Sequence, residues 1–157
     1  MKKIKIGFTS VLVILAICLF QSAIAARSDA DVQKSILDDI NSYRVKHGLS
    51  QLKINAEISL EAKKHSQDMA LNVVPFGHKL IKERMHRLFG EFKRPRGIAE
   101  NVAYTSSGRG ADELVRLWLN SPGHRRNIEG NYNLTGIGVV RDKDGGVYAT
   151  QIFLRAG

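Results

Sequence analysis

Two β-prone runs close the chain, Leu134 to Arg141 and Val147 to Leu154. Between them lies Asp142-Lys143-Asp144-Gly145-Gly146, a hairpin turn by its residues. The second run alternates cleanly, Val147, Ala149, Gln151 and Phe153 against Tyr148, Thr150, Ile152 and Leu154. One further stretch reads as a strand, Ile98 to Thr105; most of the rest has helical periodicity. The early helices and the late hairpin must therefore meet in space to close a core. That order predicts an α+β domain, with three strands held between helical layers.

The first residues read differently. Lys2, Lys3 and Lys5 precede the apolar run Ile6 to Phe20, and Ala23-Ile24-Ala25 fits a small-x-small cleavage site. The run is short for a membrane span, which needs about 20 residues. The expected organisation is a secretory signal at 1–25 and a single domain at 26–157, with no transmembrane segment after cleavage. An uncleaved N-terminal anchor is the competing reading. Cleavage removes Cys18, the one cysteine, and lowers the formal charge from +9 to +6 by removing the three lysines. Such a domain has neither disulfide nor thiol chemistry. Its basic balance is compatible with anionic envelope polymers or lipid headgroups, and equally with plain solubility.

In the domain, Ser28 or Asp29 caps a first helix carrying Val32, Ile36, Ile40 and Tyr43 inward, and Gly48 ends it. Asn55 caps a second helix to about Asn72, with Ile58, Ala62, His65 and Met69 on one face. Pro75 and Gly77 break it, and His78 follows. Leu80 to Phe89 is a third, shorter helix, and Lys93, Arg94 and Arg96 make a basic loop. Ala111 to Asn120 is a helix carrying Trp118, and Ser121-Pro122-Gly123-His124 is a rigid turn that fixes His124.

Standard catalytic signatures are missing. There is no G-x-S-x-G, no H-E-x-x-H, no phosphate-binding glycine loop and no dinucleotide fingerprint. Ser50-Gln51-Leu52-Lys53 matches S-x-x-K by chance, in a connector. Nucleic-acid binding has only the short 93–96 cluster behind it, and no nucleic-acid partner is expected. What remains is His78, Glu100, Glu113 and His124, all at element edges. Two imidazoles and two carboxylates suit a divalent metal, zinc above all, or acid–base work without one. Tyr104 sits beside Glu100-Asn101 and is a candidate for the same cleft. Trp118 reads as a core anchor, Asn101 as a backbone-bonding residue and His65 as a buried, hydrogen-bonded histidine. Arg125 and Arg126 read as solvated.

Glu100-Asn101-Val102-Ala103, Glu113-Leu114-Val115-x-x-Trp118, Ser121-Pro122-Gly123-His124-Arg125-x-Asn127-Ile128, Gly136-Ile137-Gly138-Val139 and Tyr148-Ala149-Thr150-Gln151-x-Phe153 occur in that order. Upstream stand Asn41-x-x-Arg44-x-x-x-Gly48-Leu49, Leu52-x-x-Asn55 and His65-Ser66-x-Asp68-Met69-Ala70. Together they resemble the bacterial branch of the CAP superfamily, which includes cysteine-rich secretory proteins, venom allergens and plant pathogenesis-related proteins. The resemblance implies an α-β-α sandwich with a small antiparallel sheet. It implies a cleft lined by a tetrad, His78, Glu100, Glu113 and His124. In some members the two histidines hold zinc or a similar ion, with the glutamates close by through water. It supplies no secure reaction. The disulfides of animal and plant members are absent.

Three functions are left open. The first is an exported module whose cleft binds a divalent metal, a small molecule or a lipid-like ligand at the cell envelope. The second is a metal-assisted hydrolase acting on peptide or cell-wall bonds, with Glu100 or Glu113 as catalytic base. The third is partner binding with the tetrad as a structural staple. A secreted or periplasmic monomer is expected in each. Ser66 lacks a visible base and carries little weight as a nucleophile.

Overall fold

The computed structural model describes residues 27–106 and 110–157. The expected signal at 1–25, with Cys18, lies outside the described residues. Element order is α1 (Asp29–Lys46), β1 (Lys53–Ile54), α2 (Ala56–Ala70), α3 (Ile81–Glu91), β2 (Gly97–Thr105), α4 (Ala111–Asn120), α5 (Pro122–Glu129), β3 (Leu134–Arg141) and β4 (Val147–Arg155). The sheet runs β1-β3-β4-β2. It is mixed, because β1 pairs in parallel with β3 while the other pairs are antiparallel. The expected antiparallel sheet of three strands thus gains a fourth, parallel member. β1 is only two residues long, too short to show a period.

Strand alternation divides the core in two. Ala99, Ala103, Ile137, Val139, Val147, Ala149 and Phe153 pack under α1, α4 and α5, together with a fully buried Trp118. Ile152 and Leu154 turn to the other face, against Ile58 and Ala62 of α2 and Leu88 of α3. Both faces of the hairpin are therefore covered, which makes an α-β-α sandwich. Gly136 and Gly138 face α2 at very close range. A Cβ at Gly138 would lie 2.1 Å from the backbone nitrogen of Lys63.

Local signals set the helix ends. Ser28 caps α1: its Oγ accepts from Asp31 N at 3.1 Å and its own N–H donates back to Asp31 Oδ2, also at 3.1 Å. Asn55 Oδ1 accepts from Ile58 N at 3.0 Å at the start of α2. The expected sharp turn at 121–124 is instead the beginning of α5, with Pro122 in its first turn. Proline suits that position because its fixed φ is already helical and its missing N–H would have no partner there. Gly123 has no positive φ, so left-handed freedom is not what this glycine supplies.

Two buried cations were not foreseen, Arg44 and Arg84. Arg44 on α1 is 2% exposed. Its guanidinium donates to the carbonyls of Ser50 (2.8 Å), Ile128, Gly130 (3.0 Å) and Tyr132 (3.4 Å). All four acceptors are neutral. Arg44 thus ties α1 to the loop before β1, to the end of α5 and to the loop between α5 and β3.

Candidate functional site

The site straddles β2, the outer strand of the sheet. On one side is the loop between α2 and α3. Asn72 (φ 56°), Gly77 (φ 128°) and Leu80 (φ 59°) give this loop its sharp bends. His65, 2% exposed on α2, has Nε2 2.7 Å from the Gly77 carbonyl. A carbonyl only accepts, so Nε2 carries the proton. This anchors the backbone just ahead of His78, and it fits the buried, hydrogen-bonded histidine expected there.

His78 Nδ1 lies 2.9 Å from Glu100 Oε1. The carboxylate accepts, so Nδ1 holds a proton and, in the neutral ring, Nε2 keeps its lone pair. Glu100 is 4% exposed on β2. Arg84 grips it with both arms of the fork, Nε to Oε2 at 2.8 Å and Nη2 to Oε1 at 2.9 Å. Arg84 also donates to the Lys79 carbonyl at 2.8 Å, fastening the loop to α3. It is 4% exposed. Arg84 is the residue of this site that reading the sequence missed. The available signal was its place four residues after Leu80 and four before Leu88, an arginine in an apolar stripe. A buried arginine there needs a buried acceptor.

On the other side of β2, α5 presents His124. Asn101, fully buried, donates from Nδ2 to the His124 carbonyl at 3.1 Å. Asn127 donates to Asn101 Oδ1 at 2.9 Å and to the Glu100 carbonyl at 3.2 Å. The Glu-Asn pair of β2 and the asparagine of α5 therefore form one lattice that sets His124 against His78. The imidazole centroids are 6.4 Å apart with planes at 51°. Burial, with the His78 charge as a smaller cause, lowers the His124 pKa from its ordinary value.

Glu113, half-buried on α4, accepts from Arg116 Nε at 3.0 Å and Nη2 at 2.7 Å. Tyr104 shares the Glu100 face of β2 but lies four residues on, about 13 Å at roughly 3.3 Å per residue. Its ring packs on Tyr148 with centroids 4.7 Å apart, and Tyr148 meets Phe76 at 6.3 Å. Tyr104 therefore joins an aromatic group toward the end of the strand, whose Phe76 comes from the same stretch that carries His78. Ser66 is fully buried; its hydroxyl donates to the Gly138 carbonyl and shares a second hydrogen bond with the Thr150 hydroxyl, which must then donate, and these bonds join α2 to the sheet. Arg125 donates to the Leu119 carbonyl at 3.2 Å.

For a metal, the arrangement offers two imidazoles. Among the described residues no group of three or more His, Cys, Asp and Glu side chains is placed to hold an ion. The donor chemistry nevertheless suits one: a histidine whose second nitrogen is tied to a held carboxylate is the usual support for a metal-binding imidazole. The ring separation is about 1 Å wider than two imidazoles on one tetrahedral zinc require, given Zn–N bonds of roughly 2.0–2.1 Å.

The histidines also make stability depend on pH. Burial lowers the pKa of both His65 and His124 below the usual 6.5. As pH falls through 6.5 the unfolded chain takes up these protons before the folded one does. Stability is thus full above pH 6.5 and is lost as pH drops through the lower folded values. The melting temperature is expected to fall between pH 7 and pH 5, and less steeply in His65→Gln. An identical pH profile for the variant would remove His65 from this account.

Comparison with known proteins gives the same frame. The family model of the cysteine-rich secretory protein family, CAP, matches residues 37–153. The chain is 35% identical over 129 residues to an uncharacterized membrane protein of Bacillus subtilis, YlbC, covering 78% of this chain and 34% of that protein. It is 33% identical over 133 residues to the uncharacterized protein YkwD of the same species, covering 81% and 49%. The chain therefore spans half or less of the length of these relatives. An extracellular SCP-domain protein of Bacillus anthracis superposes with TM-score 0.67 at 28% identity, over 81% of this chain and 41% of that one. An outer surface protein of Borrelia burgdorferi gives 0.71 at 20% identity, over 83% and 97%, a likeness of fold alone.

Proposed function

The chain belongs to the cysteine-rich secretory protein family, and we propose that it is an extracytoplasmic binding module with a divalent-metal and ligand site at His78 and His124. The observation that carries this reading is the chain Arg84–Glu100–His78. It fixes the His78 tautomer and leaves the other ring nitrogen with its lone pair, beside a second imidazole whose pKa burial lowers. His78 and His124 would hold zinc or a similar ion. When bound, the ion would supply a Lewis-acidic centre with positions open to an incoming ligand.

Charge then selects that ligand. Arg84 already balances Glu100, so the two imidazoles bring no negative charge to the site. A ligand with an anionic oxygen, carboxylate or phosphate, complements it best. The basic chain and its extracellular structural relative support placement outside the cytoplasm. Binding is favoured over hydrolysis because both Glu100 oxygens already accept hydrogen bonds from Arg84 or His78, and both Glu113 oxygens accept from Arg116. A general base needs a carboxylate oxygen open to an attacking water.

The test is calorimetric zinc titration of the domain beginning at residue 26. Zinc binding should vanish in His78→Ala/His124→Ala. In Glu100→Gln it should weaken about 10–100-fold, as when a ligand's supporting partner is lost. Binding that persists unchanged in the double alanine variant would sink the metal reading. Collapse of that variant's circular dichroism would instead favour the staple role.

A further inference from the structure

The end of the sheet away from Tyr148 carries a concentration of positive charge that the imidazole site does not use. Lys93, Arg94 and Arg96 are exposed in the loop before β2, Lys53 is exposed on β1, and Arg155 is half-buried at the end of β4. None of these five forms an ion pair among the described residues. The backbone gathers them. Arg96 N donates to the Arg155 carbonyl at 2.8 Å, and Gly157 lies against the Arg94 side chain. Lys53 pairs with Leu134, which in turn faces Leu154. With the sheet order β1-β3-β4-β2, the cations span three strand spacings, roughly 14 Å at about 4.8 Å each.

This row borders a groove. Lys53 and Arg155 line it, with Ser50, Gln51, Asn131 and Tyr132 as polar wall, and Arg44 reaches it from beneath. Arg44 is the buried guanidinium whose four acceptors are all neutral carbonyls, so its charge is not cancelled by a bonded carboxylate. The carboxylate on the groove wall is Glu129, whose Oε1 accepts from the Tyr43 hydroxyl at 2.6 Å. Glu91 ends α3 nearby in sequence. Positive charge still dominates.

We propose that this groove and its basic rim bind a linear, phosphate-bearing polyanion. A chain of phosphates matches cations spread along a row, where a compact anion would engage only one or two. A concave wall, in which Leu49 and Leu134 stand among the polar groups, fits a polymer strand better than a flat bilayer. A group of exposed apolar side chains, Leu71, Val73, Phe76 and Leu80, lies instead on the stretch between α2 and α3, whose Phe76 packs on Tyr148 at the opposite end of β4; beside the row itself Ile54 is exposed next to Lys53. This inference goes beyond the imidazole site and does not depend on it.

The probe is soluble linear polyphosphate, titrated by calorimetry into the domain beginning at residue 26 at two salt concentrations. Lys53→Gln/Arg94→Asn/Arg155→Gln removes three cations of the row. Lys46→Gln/Lys64→Gln/Lys82→Gln removes three elsewhere and leaves the same net charge. The first variant should lose affinity by about tenfold or more and show a flatter salt dependence, since fewer counterions are released. The second should lose less than about threefold. Arg94→Asn/Arg96→Ser, confined to the loop, should give an intermediate loss even if the triple variant folds poorly. Equal losses in both triple variants would overturn the proposal, as would no binding by the parent. Tighter binding to phosphatidylglycerol vesicles than to polyphosphate would also overturn it, by making this a membrane-facing surface.

Discussion

Replacing Arg84 by leucine is expected to lower stability by about 3–5 kcal/mol, because it strands a buried carboxylate. Glu100 is 4% exposed and takes two of its charge-assisted hydrogen bonds from Arg84. Without them its remaining side-chain partner here is the half-exposed His78. Removing both charges should be far milder, since well-packed apolar replacements for a buried pair are often neutral. So Arg84→Leu/Glu100→Leu should regain most of what Arg84→Leu loses, and urea unfolding at pH 7 measures each. The zinc readout separates stability from function. The double variant should fold yet bind zinc poorly, because nothing then holds the His78 ring. A loss under about 1 kcal/mol in Arg84→Leu would mean that this pair is not what organises the site.

That ion pair also shows where reading the sequence stopped. Element types came through well, because period and caps report them directly: Val32, Ile36 and Ile40 are buried as their spacing requires, and Ser28 and Asn55 do cap their helices. The hairpin was legible from alternation and its Asp/Gly turn. Two features escaped for related reasons. β1 exists through its pairing with β3, a partner roughly eighty residues away, and two residues cannot display a period. Arg44 and Arg84 are buried through acceptors supplied by distant segments, so a local window shows only a charged residue on a helix. His78, Glu100 and His124 could be named from motifs, but the network supporting them could not. Asn101 shows the limit well: a backbone-bonding role was legible, yet its acceptor, the His124 carbonyl, belongs to another element.

The second large effect is expected at Gly138. In Gly138→Ala the new Cβ would meet Lys63 N at 2.1 Å and the Ala62 carbonyl carbon at 2.3 Å, both backbone atoms of α2. A flexible side chain could swing away, but a helix backbone must shift as a unit, so the cost should reach about 3 kcal/mol or more. Gly136 meets the same helix one turn earlier, 2.2 Å from the Ile58 carbonyl carbon and Ser59 N. Changing both glycines should use up most of a typical reserve of about 5–15 kcal/mol and leave the chain largely unfolded at 25 °C. Gly90→Ala is the control. It lies within α3 with nothing within 4 Å of the added carbon, and should gain up to about 1 kcal/mol from helix propensity. The effect at Gly138 should also reach the site. α2 carries His65, whose bond to the Gly77 carbonyl positions the backbone ahead of His78. Gly138→Ala should therefore weaken zinc binding while the protein is still folded. Unchanged stability in Gly138→Ala would show that α2 does not need its close seat on β3, and would uncouple the sheet glycines from the imidazole pair.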